Sequence, residues 1–142
     1  MKTLVIGSAL AIGLAGASPA SAASAPYQAQ VLIGQFTCQS GWCTAPFPAV
    51  PAGKTLTITN TSCVFTINGS FIDAQLQWNV SSKPYYLGLA SEWQRANGAN
   101  LNATFGKDSL HVTVAAGKKV SAVIQITGSL LGAHCEIFGT LD

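Results

Sequence analysis

The strongest constraint on this chain is a two-residue rhythm. Between Phe71 and Val80, Ile72, Ala74, Leu76, Trp78 and Val80 fall on one side of an extended backbone; Phe71, Asp73, Gln75, Gln77 and Asn79 fall on the other. Successive side chains of a strand point to opposite faces, so the pattern describes a strand with one buried and one wet face. A surface helix would instead repeat its apolar residues every 3.6 positions, and no long stretch beyond residue 22 does so. The rhythm recurs. Leu110, Val112 and Val114 alternate with His111 and Thr113. Val120, Ala122, Ile124 and Ile126 alternate with Ser121, Val123, Gln125 and Thr127. Cys135, Ile137 and Leu141 alternate with His134, Glu136 and Thr140.

Turn signals separate these runs: Pro51-Ala52-Gly53, Asn68-Gly69, Asn97-Gly98, Gly106-Lys107-Asp108 and Ala116-Gly117-Lys118. Asn-Gly tolerates the positive φ angles of tight hairpins. The spacing predicts seven to nine strands, near residues 28–37, 54–59, 62–68, 71–80, 84–90, 100–105, 109–115, 119–128 and 133–140, with a short helical turn around Ser91 to Ala96. The expected fold class is therefore all-β: an antiparallel β-sandwich, jelly-roll or immunoglobulin-like. One segment changes phase. Leu56 and Ile58 share one parity, and Cys63, Phe65 and Ile67 the other. A period-2 pattern switches face only through an inserted residue or a bend, which predicts a bulge or break within Asn60 to Ser62. Such a bend lets one long strand serve both sheets.

The first 22 residues read differently. One charge, Lys2, precedes an apolar run from Leu4 to Ala17, followed by Ser18-Pro19-Ala20-Ser21-Ala22. This is the order of a secretory signal peptide, with cleavage expected after Ala22. The run falls short of the ~20 residues of a membrane helix. No later stretch reaches that length, so no membrane span is expected in the mature chain, residues 23–142, which reads as a single domain. The Ala-rich leader suggests a bacterial, extracytoplasmic protein, secreted or periplasmic.

All four cysteines, Cys38, Cys43, Cys63 and Cys135, follow the leader. An even number in an exported chain implies disulfides, and four allow three pairings. The favoured pairing is Cys38–Cys43, closing a small loop around Gly41-Trp42, with Cys63–Cys135 tying an early strand to the last one. Cys63, Trp78 and Cys135 stand in the order of the immunoglobulin signature, but Ala133 occupies the place of its corner tyrosine. A metal site has little support: Cys38-x4-Cys43 has no second close pair, and His111 and His134 are remote in sequence.

Without Lys2, six basic residues face five acidic ones, which gives no electrostatic case for nucleic acid. The acids Asp73, Glu92, Asp108, Glu136 and Asp142 show no pairing pattern of the kind glycoside hydrolysis needs, and no nucleophile elbow is present. No catalytic residue, metal or cofactor is assigned. Aromatic side chains are the better lead. Trp42 lies inside the proposed small loop, which is too short to bury it, and Tyr85, Tyr86 and Trp93 cluster in the middle segment. Rings beside Asn and Gln suit sugars, because a ring stacks on an apolar sugar face while amides bond the hydroxyls. The expected role is a non-catalytic binding or structural component of the cell envelope, with a glycan or envelope component as partner and Trp42, Tyr85, Tyr86 and Trp93 as ligand-binding residues. Two alternatives stand beside it. One is a fimbrial-type surface subunit donating a strand from Ala23 to Gln30, although Leu141 replaces the penultimate tyrosine of such subunits. The other is a small secreted hydrolase using Glu92 or Glu136.

Overall fold

The structure, a computed structural model, describes residues 23–142. The expected leader and its cleavage site lie outside the described residues. In chain order the strands are β1 (Ala25–Leu32), β2 (Thr37–Gln39), β3 (Trp42–Pro46), β4 (Leu56–Asn68), β5 (Phe71–Val80), β6 (Lys83–Gly88), β7 (Ala90–Asn97), β8 (Asn100–Lys107), β9 (Val112–Val114), β10 (Val120–Ile126) and β11 (Ser129–Leu141). A single 3-10 turn, Ile33–Gln35, joins the first two. A six-stranded sheet has the order β1-β11-β4-β8-β7, with β9 also paired to β4; a five-stranded sheet has the order β2-β3-β10-β5-β6. Every pairing is antiparallel.

The two sheets form a β-sandwich because each has one apolar face and the two faces bury one another. Phe65 and Ile67 of β4 meet Ala74 and Leu76 of β5 and Ile124 of β10 in one core. Aromatic rings bridge the layers. Phe71 of the five-stranded sheet lies 6.4 Å from Phe65 and 5.3 Å from Phe105, both in the other sheet, and Phe36 meets Phe65 edge-on at 5.9 Å. Such contacts add to simple area burial, by about 0.5–1.5 kcal/mol per pair. Both expected disulfides are present, Cys38–Cys43 between β2 and β3 and Cys63–Cys135 between β4 and β11. Each joins directly opposed residues of neighbouring strands in one sheet, unlike the inter-sheet bond of immunoglobulin domains.

Four inserted residues shape the sheets. The register skips Thr59 on β4, Ile72 on β5, Glu92 on β7 and Leu131 on β11. A bulge leaves its extra residue unpaired and reverses the parity beyond it. This explains two exposed apolar side chains, Ile72 (57 %) and Leu131 (50 %). It also corrects the sequence reading of β5, where Phe71, not Ile72, turns toward the core. The phase change on β4 sits at Thr59, one residue before the expected window. The strand does not break there or pass to the other sheet; it exchanges β9 for β8 as a partner. Beyond the bulge Thr61 points inward, buried, and donates its hydroxyl proton to the Glu136 carbonyl at 2.9 Å.

Eleven strands replace the expected seven to nine among the described residues. The strand expected over 28–37 is interrupted by the 3-10 turn, and β2 beyond Thr37 and all of β3 lie outside the expected strands. Ser91 to Ala96 lies within strand β7, correcting the expected helical turn; all eight residues of β7 are exposed, so no alternation marks it in the sequence. Its hairpin to β8 turns through Gly98 and Ala99, with Gly98 at φ +63° in the first central position. The segment expected as a donor arm is β1, paired along its whole length with β11 of its own chain.

Candidate functional site

The outer face of the five-stranded sheet is built by the residues that alternate with the core. On β3, Cys43 and Ala45 point inward, so Trp42 and Thr44 point out. Cys43 is anchored across the hairpin to Cys38, and the two-residue turn between β2 and β3 passes through Ser40 (φ +51°) and Gly41 (φ +82°). A Cβ at Gly41 would sit 2.9 Å from the Ile126 carbonyl oxygen, so glycine is required there by space as well as by φ. The disulfide and this turn fix the backbone on which Trp42 stands, a residue 39 % exposed.

Cross-strand register then sets its neighbours. Thr44, Val123 and Gln75 form one row across β3, β10 and β5, and Ser121, Gln77 and Tyr86 lie in the row beside it across β10, β5 and β6. Trp42, Gln125 and Asp73 form the row on the other side. Together Trp42, Thr44, Gln75, Gln77, Tyr86 and Val123 line an open groove of about 410 Å³. Val123 is its floor: it faces outward yet is only 4 % exposed, because the surrounding side chains cover it. The two rings mark opposite ends. From strand spacing and rise, the Cα atoms of Trp42 and Tyr86 lie about 20 Å apart along a diagonal of the sheet. Two further depressions continue the groove. One, of about 450 Å³, shares Trp42 and Thr44 and reaches Gln39 and Ser40. The other, of about 550 Å³, shares Thr44 and Gln77 and ends at Lys118 and Lys119.

Of the four aromatic residues singled out in the sequence, the structure joins two. Tyr86 is 56 % exposed and belongs to the groove; Tyr85, its chain neighbour, has the opposite parity and stacks on Trp78 at 6.1 Å. Trp93 stands on the outer face of the six-stranded sheet, opposite Thr104. Thr44, Gln75, Gln77 and Val123 were not singled out as binding residues from the sequence. The one available signal was Val123, an apolar residue on an otherwise polar strand face.

The groove lining carries no carboxylate, imidazole or thiol, so it holds hydrogen-bonding and stacking groups without an acid–base pair. The two glutamates considered for hydrolysis lie elsewhere, on the outer face of the six-stranded sheet. Glu136 of β11 meets His134 at 3.3 Å and accepts a hydrogen bond from Gln28 at 3.4 Å, whereas Glu92 is the bulged residue of β7. Among the described residues no cluster of three or more His, Cys, Asp or Glu side chains is arranged to hold a metal ion, and no helix is long and apolar enough to cross a membrane. No family model matches this sequence, and no curated protein matches it.

Proposed function

We propose that this is an exported, non-catalytic glycan-binding protein whose binding surface is the groove between Trp42 and Tyr86. The observation that carries the reading is that two exposed rings, far apart in the chain, line one groove with two glutamines and a threonine between them. A ring offers an apolar plate with a negatively charged face, suited to the C–H faces of a sugar. Gln75 and Gln77 each supply two N–H donors and a carbonyl acceptor, which matches hydroxyls that both donate and accept. Anchoring residues whose Cα atoms lie about 20 Å apart on one groove suit a ligand that extends along it, so the ligand proposed is an oligosaccharide or polysaccharide. Two disulfides suit the oxidising space outside the cytoplasm, where an envelope or extracellular polymer is met. The leader read from residues 1–22 delivers the protein there.

The test is affinity electrophoresis and glycan-array binding of the mature chain, compared with Trp42→Ala and Tyr86→Ala. Each substitution removes an anchoring ring, and a loss of at least about tenfold is expected. Tyr85→Ala and Trp93→Ala are the internal controls, expected to bind as the parent does. Equal binding by all four variants, or no retention by any polysaccharide, refutes the assignment.

A further inference from the structure

We infer that the groove selects an acidic polysaccharide, with Lys118 and Lys119 holding its anionic substituents; this rests on the glycan-binding reading above. The depression ending at these lysines is continuous with the aromatic groove through Thr44 and Gln77, so a chain stacked on the rings is directed along β5 toward the two ammonium groups. Among the described residues the only ion pair within 4.0 Å is His134–Glu136, so neither lysine is neutralised by a carboxylate. The turn that carries them is held in place. Gly117 donates its N–H to the Val50 carbonyl at 2.8 Å, and Val50 donates its own to the Lys118 carbonyl at 2.9 Å. A third bond runs from the Lys118 N–H to the Ala115 carbonyl at 3.1 Å. The backbone from which both lysines project is therefore fixed relative to the sheet, which keeps the two ammonium groups within reach of the groove's end. At the other end Asp73 stands in the row of Trp42, across β10. Asp73 is outside the groove lining, but a carboxylate flanking the Trp42 end and two lysines at the far end give the groove a direction and disfavour an acidic unit beside Trp42.

The experiment compares polygalacturonate with its methyl ester, which keeps the sugar backbone and removes the charge, by isothermal titration of the mature chain. Dextran sulfate against dextran forms a second arm that separates sulfate from carboxylate recognition. The parent is expected to prefer the acidic member of a pair by about tenfold at low salt, the scale of two exposed charge contacts. That preference should shrink by about 200 mM salt, where the screening length falls below 10 Å. Lys118→Gln/Lys119→Gln should lower binding of the acidic polymer to that of the neutral one and leave neutral binding unchanged, whereas Trp42→Ala should weaken both. The inference is overturned by equal affinity for both members of each pair, by a preference that survives the double lysine variant, or by acidic binding that Trp42→Ala leaves intact, which is plain ion exchange. Neutral binding without acidic preference leaves the groove assignment standing; retention of no polymer removes both.

Discussion

The hairpin between β5 and β6 decides which tyrosine faces the groove, and its turn offers a sharp test. Val80 pairs with Lys83, leaving Ser81 and Ser82 as a two-residue loop with φ +48° and +69°. Positive φ at both central positions defines a type I′ turn, whose favoured sequence is Asn-Gly. An L-residue in the left-handed region costs about 1–2 kcal/mol. Glycine at position 82 recovers most of that and returns about 0.4–1 kcal/mol through the greater freedom of the unfolded chain. Asparagine is several-fold enriched in this region, a preference worth about 0.6–1 kcal/mol. Ser81→Asn/Ser82→Gly should therefore stabilise the protein by about 1 kcal/mol, raising Tm by about 3–5 °C for a domain of this size. Urea denaturation should show a higher midpoint with an unchanged slope. Ser81→Val/Ser82→Val places branched side chains in the same turn and should lose more than the first variant gains. If the Asn-Gly variant is no more stable, or the Val-Val variant is tolerated, the turn is not type I′ and the register across Gln77 and Tyr86 is wrong. A slip of one residue would bring Tyr85 to the groove and turn Tyr86 inward.

Three further outcomes follow from the fold. Replacing Cys63 and Cys135 by alanine opens a connection with a sequence separation of 72 and should cost about 4 kcal/mol, against about 2 kcal/mol for Cys38 and Cys43 with a separation of 5; denaturation midpoints of the two double variants should rank in that order. Phe65→Ala removes a ring that is 1 % exposed and in contact with Phe36, Phe71 and Phe105, and should cost about 3–5 kcal/mol by the same assay. Burial raises the pKa of the Tyr27 phenol. Its stabilising contribution is complete below the unfolded value of about 10 and is lost as pH rises through the folded value, so the parent should lose stability relative to Tyr27→Phe across that alkaline window.

Much of the fold was legible because it rests on burial. Where a strand packs on the core with one face and meets water with the other, as β9 does, its alternation states both its existence and its orientation. β7 has no buried face, so burial places no constraint on its sequence and nothing distinguished it from a helical turn. β2 and β3 are three and five residues long, too short for alternation to stand out. The β4 bulge was visible because apolar residues lie on both sides of it. The β5 bulge at Ile72 was hidden because Phe71 and Ile72 are both apolar, and either could have been the buried one.

The groove was less legible, for a reason inherent in sheets. A binding surface on a sheet is assembled across strands, from residues that hydrogen-bond in register but are remote in the chain. Tyr85 and Tyr86 were indistinguishable in the sequence, yet one stacks on Trp78 and the other joins Trp42, and the parity of β6 alone separates them. That parity is set by the Ser81-Ser82 turn and by Leu76 and Leu87 facing each other on the inner side. Val123 carries the same lesson in reverse. An isolated valine on a wet strand face is unremarkable by itself; once Trp42, Gln75 and Tyr86 surround it, it becomes an apolar floor kept dry by the groups proposed to bind. Val123→Lys should therefore fill the groove with a charged chain and weaken binding of a neutral polymer as strongly as Trp42→Ala, while the sheet behind it, packed through Ala122 and Ile124, stays folded. Retained binding would place the ligand somewhere other than between the two rings.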